Sequence, residues 1–163
     1  MIIIYLIAIV IANLTVTYFG EKAIYLNAFF LIGLDIVLRD KLHEKWNNDN
    51  LFAKMLFLIG SGSILSYLIN QDAQIVAIAS FAAFFCAGIV DFVLYLYFAD
   101  KKFLVKSNIS NAGSSLTDSI VFPMILFGGL SLQITALQFL AKFFGGLFWS
   151  YIVNTISTKT HKN

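Results

Sequence analysis

Apolar residues run along this chain in long blocks, and polar residues interrupt them in short breaks. The blocks fall at about 2–18, 23–38, 51–69, 73–98, 114–130 and 134–156. None alternates with a period of two, so the pattern predicts helices and not strands. The fourth block is the organising one. As a helix it is roughly 39 Å long at 1.5 Å per residue, enough to cross a hydrocarbon core of about 30 Å. The second block is the weakest, covering only about 24 Å. Within the fourth, Ala79, Ala83, Ala87 and Asp91 recur every four residues and share one helix face. Three small side chains there predict close packing against a neighbouring helix, with a carboxylate on the same face.

Composition sharpens the expectation. The chain has 163 residues, of which 60% are hydrophobic and 12% charged, with one proline. Those values suit a polytopic membrane protein better than a soluble domain. The expected fold class is therefore all-α: a single transmembrane domain over 1–163 with six transmembrane helices. The start lacks a basic leader and reads as a retained first span. Arg39, Lys41, Lys45, Lys54, Lys101, Lys102, Lys106, Lys159 and Lys162 all fall on one side if six helices alternate, and Lys22 alone falls on the other. That asymmetry predicts cytoplasmic N- and C-termini and a multi-pass placement in the inner membrane, with the lipid bilayer as partner.

A net charge of +2 gives no footing for nucleic acid. Cys86 is alone, and His43 and His161 have no ligand-spaced neighbours, so neither a metal nor a cofactor is expected. Serine, aspartyl and metallo-hydrolase signatures and phosphate-binding loops are missing, so the chain does not read as an enzyme.

The candidate chemistry lies in charges and amides within the runs. Asp35 and Asp118 read as near the inner helix ends, Asp91 as deeper, and Lys142 as near the middle. Asp35 and Asp118 are expected at the interface, solvated or paired with Arg39 and the loop lysines. A charge at membrane depth costs about 3 kcal/mol or more, so such groups are usually paired, hydrated or functional. Thr135, Gln138, Lys142, Gly145 and Trp149 make one stripe on the last helix. Asn13 and Thr17 on the first, and Asn111, Ser114, Ser115 and Asp118 on the fifth, add two more. Such stripes predict a polar interior, either a solute pathway or a network that holds helices together.

Three stretches carry a family resemblance: ASFAAF (79–84) followed by Asp91, SNAGSSLTDSIVF (110–122) and LDIVLRDKLHEKW (34–46), with Lys142 in the final aromatic-rich helix. Together they resemble the vitamin uptake transporter family, whose best-known members are queuosine precursor transporters. The resemblance implies a six-helix importer of 7-cyano- and 7-aminomethyl-7-deazaguanine. In that reading Asp91 or Asp118 takes the guanine-like face as a two-pronged acceptor. Asn111, Ser80 or Gln138 answers the other edges, Phe84 or Phe122 (or Phe81, Phe144) stacks on the ring, and Lys142 neutralises a carboxylate. A homo-oligomer stays open. Two alternatives stand beside it. One is the substrate-binding subunit of an energy-coupling vitamin importer; the other is a structural membrane protein whose polar core only packs helices.

Overall fold

Helices account for almost all of the described residues, because runs this long and apolar satisfy their backbone hydrogen bonds within the segment. The computed structural model describes residues 1–46, 50–98, 100–101 and 103–160. Helix α1 spans Ile2–Phe19 and stops at Gly20, whose φ of +60° suits a residue without a Cβ. Helix α2 (Glu21–Asn27), a π-helical turn (Ala28–Ile32) and α3 (Gly33–Trp46) follow one another without a break. Helix α4 covers Leu51–Ile69. Asn70 then turns extended, and its side chain accepts the Asp72 N–H at 2.9 Å. This opens a short 3-10 turn (Gln71–Ala73) into α5 (Gln74–Tyr97). Helix α6 (Phe103–Phe127) contains Pro123 and ends before Gly128, at φ +72°. Helix α7 is Leu132–Thr160.

The result is a bundle of six helical rods, with α2, the π-turn and α3 making one of them. Helix α5 lies along α6, α1 against α4, and α7 against α3, the π-turn and α6. Ala79, Ala83 and Ala87 are buried on α5, which lets it sit close to its neighbours. Tyr5, Ile9, Leu38, Leu42, Met55, Leu58, Ile59 and Phe84 form one apolar core. Val16, Ala23, Ile24 and Val76 form a smaller one.

Two rods depart from the expected spans. The second carries the buried charges Asp35 and Arg39 and changes helical type at Ala28–Ile32. The fifth begins at Phe103, well before position 114, and has a long polar stretch. Among the described residues, four helices are long and apolar enough to cross a membrane: Ile2–Phe19, Phe52–Ile69, Gln71–Leu94 and Leu132–Val153. The outer faces of these helices are apolar, with Ile3, Phe57, Leu68, Leu132 and Tyr151 among the most exposed side chains.

The six-span polytopic fold class is thus corrected to an all-α bundle of six rods with Asp35, Arg39, Asp118 and Lys142 buried inside it. The side assignment goes with it. Lys22 and Arg39 are expected at the two ends of the second span, but their rod, 21–46, is not among the four apolar helices. Arg39 is also buried, so it is no marker of an aqueous face. Lys102 and Lys162 lie outside the described residues. Cytoplasmic termini, the multi-pass inner-membrane placement and the bilayer as partner all rested on that scheme, and none is retained.

Candidate functional site

The interior is where this fold concentrates its polarity. Lys142, one turn after Gln138 on α7, is only 3% exposed. Its ammonium donates to Asp118 Oδ2, to Ser119 Oγ at 3.1 Å and to Gln138 Oε1 at 3.1 Å. An ammonium has three N–H donors, and all three are used. Asp118 and Ser119 are adjacent on α6, so Lys142 ties α6 to α7.

A second set ties α3 to α6. Arg39 Nη2 donates to Asn111 Oδ1 and to Ser114 Oγ, both at 3.3 Å. Asn111 Nδ2 in turn donates to Asp40 Oδ2 at 3.0 Å. Burial pulls the Arg39 pKa down, but Asp91, Asp40 and Asp35 more than offset this and raise it overall, so the guanidinium stays charged. Asp35 sits one turn before Arg39 and is fully buried. Burial raises its pKa to about 7, helped by Asp118, with Arg39, Tyr5 and Lys142 acting the other way.

Neutral side chains join α1 to α4 and α2 to α1. Asn13 Nδ2 donates to Ser66 Oγ at 3.1 Å, linking α1 to α4, and Ser66 Oγ donates onward to the Gly62 carbonyl at 2.8 Å. Asn27 Nδ2 donates to the Ala12 carbonyl at 3.0 Å and to Thr15 Oγ1 at 2.8 Å, linking α2 to α1. Some atoms stay without a hydrogen-bond partner among the described residues: Asp35 Oδ1, Arg39 Nε, Asp91 Oδ1, Thr135 Oγ1 and Gln138 Nε2.

One cavity of about 30 Å³ lies beside this network. Asn13, Asn27, Ser80, Asp118, Gln138 and Lys142 line its polar part, and Phe84 and Phe122 belong to its apolar wall. Of the eight residues singled out for binding, Ser80, Phe84, Asp118, Phe122, Gln138 and Lys142 therefore meet here. Asp91 and Asn111 are not in the lining; both belong to the surroundings of Arg39. Asp35 and Arg39, expected at an interface, are interior. Asn27, Ser66 and Ser119 were not foreseen. An amide inside an apolar run was the available signal for Asn27, and the spacing of Ser115, Asp118, Ser119 and Phe122 was the signal for Ser119.

These dimensions overturn the importer reading. An apolar cavity that takes benzene measures about 150 Å³, and a deazapurine is larger than benzene. A space of about 30 Å³ does not admit it. The Lys142 ammonium spends all three of its donors on Asp118, Ser119 and Gln138, which leaves none for a substrate. Queuosine precursors as substrate or partner, and transport as activity, are corrected accordingly. No family model, curated protein or solved structure matches this chain, so its own geometry carries the functional reading.

Proposed function

We propose that this chain is a structural, helix-packing protein whose interior polar network fixes how its rods pair. The observation that carries this is the Lys142 ammonium, with all three donors satisfied by Asp118, Ser119 and Gln138 inside the bundle. Apolar contacts are non-directional and tolerate sliding of one helix past another. A buried ion pair with added hydrogen bonds does not, since a slip of one residue strands a charge. Arg39 with Asn111 and Ser114, Asn13 with Ser66, and Asn27 with Thr15 act in the same way on other pairs of rods. No catalysis is asked of these residues. Asp35, Arg39, Asp91, Asn111, Asp118 and Lys142 lie in or beside the stretches that resemble the vitamin uptake transporter family. We propose kinship with that family on those stretches alone, without its membrane placement or its activity.

The test is a double-mutant cycle on Lys142→Met and Asp118→Leu, read by chemical denaturation. Each single change leaves one buried charge unpaired and should cost roughly 3–5 kcal/mol, whereas the double variant should regain most of that. Independent, additive losses would reject the packing role.

A further inference from the structure

Gln138 presents a problem that its neighbours do not solve. Its Oε1 accepts from Lys142 Nζ, which is a donor only, so the amide cannot be turned over. The Nε2 group is thereby committed to the other direction. That atom is buried and has no hydrogen-bond partner among the described residues, and the side chain is 1% exposed. Gln138 lines the cavity of about 30 Å³, together with acceptor-bearing Asp118, Ser80 and Asn13. Lys142 Nζ engages only one Asp118 oxygen, Oδ2, which leaves Oδ1 to accept another bond.

We infer that this cavity is a binding site for ordered water, in which a water oxygen accepts from Gln138 Nε2. The water donates to one or more of the oxygens of Asp118, Ser80 and Asn13. Chemistry selects water over other small guests. An amide N–H needs an acceptor, which excludes a metal cation at that atom. A free anion would compete with Asp118 for Lys142 and meet its carboxylate. Size agrees: a water needs about 10–15 Å³ and two to four polar partners, so about 30 Å³ takes roughly two or three. By bridging α7 to one or two of α6, α5 and α1, this water would complete the network on which the packing role rests. It is separable from that role, because the Lys142–Asp118 cycle reads coupling without reference to water.

The experiment uses the full chain. Oxygen-17 relaxation dispersion of solvent water counts long-lived internal waters in the wild type and in Gln138→Leu. The variant should lose at least one. In the wild type, the Gln138 side-chain amide protons should show a nuclear Overhauser contact to water; this arm stands even if the variant does not fold. An unchanged water count in a folded Gln138→Leu, or no contact between water and the Gln138 amide, would overturn the inference. So would xenon entering the cavity and shifting the resonances of Phe84 and Phe122, since a cavity that takes xenon is dry.

Discussion

Gly145 on α7 lies directly under the carbonyl of Phe29 in the π-turn: a Cβ placed on it would stand 2.2 Å from that oxygen. Gly33 meets the same helix from the other side, with its would-be Cβ 2.6 Å from the Gly145 carbonyl carbon. Backbone meets backbone at this crossing, so neither partner can step aside as a flexible side chain would. Gly145→Ala should therefore destabilise at or above the upper end of the roughly 1–3 kcal/mol typical of overpacking. Gly146→Ala is the internal control, because nothing lies within 4 Å of its would-be Cβ. Equal melting temperatures for the two variants would show that the crossing is looser than the geometry has it.

Asp35 sets a pH dependence whose sign can be worked out. Its folded pKa is raised to about 7, chiefly by burial, against about 3.9 when unfolded. Between those values the folded state holds a proton that the unfolded state has released. Stability should thus fall as pH rises from about 4 to about 7 and then level off, by up to about 4 kcal/mol at 1.36 kcal/mol per unit. The groups acting on Asp35 are Tyr5 on α1, Asp118 on α6, Lys142 on α7 and Arg39 on its own helix. Asp35→Asn removes the titration, so the difference between wild-type and variant stability should slope over that window and be flat above pH 8. A flat difference from pH 4 to 8 would show that Asp35 is ionised throughout.

Helical character was legible in the apolar runs, because a block such as 73–98 is too long and too uniform to be anything else. The alanine spacing on that block likewise pointed to a buried face, and the stripe Thr135, Gln138, Lys142 pointed to a polar interior. What the runs could not show was the depth of Asp35 and Arg39. Both fall near the end of an apolar block, where a charge ordinarily reaches solvent. Only the packing of α3 against α7, and of both beside α6, places them inside. Nor does any local pattern announce the π-turn at Ala28–Ile32, or that its Phe29 carbonyl lies against Gly145, more than a hundred positions away. The spacing of charges implied a pathway. Their pairing, a long-range property, closed it.

Asn13 and Ser66 test the neutral part of the network. Asn13→Ala removes the 3.1 Å bond to Ser66 Oγ, but Ser66 still donates to the Gly62 carbonyl at 2.8 Å. The loss should be about 1–2 kcal/mol, that of one buried hydrogen bond. Adding Ser66→Ala should then cost less than the same change in the wild-type background, because the partner is already gone. Strict additivity in thermal or chemical melts would mean that the two side chains do not act as a pair.

Arg39 separates charge from geometry. It faces Asp35, Asp40 and Asp91, and one nitrogen, Nη2, serves both Asn111 and Ser114. Arg39→Lys keeps the cation but replaces a planar fork with a point charge, so it should lose the two bonds to α6 at about 1–3 kcal/mol. Arg39→Met removes the cation and leaves an excess of carboxylates in the interior, at about 3–5 kcal/mol near neutral pH. Because burial raises the Asp35 pKa and Arg39 holds it down, Asp35 can be neutralised by protonation once the cation is gone, so the Met variant should recover part of its loss as pH falls, while the Lys variant should not. Denaturation midpoints at pH 5 and pH 8 make the comparison. If Lys and Met substitutions cost the same at both values, the guanidinium holds α3 to α6 by shape alone and its charge adds nothing to the bundle.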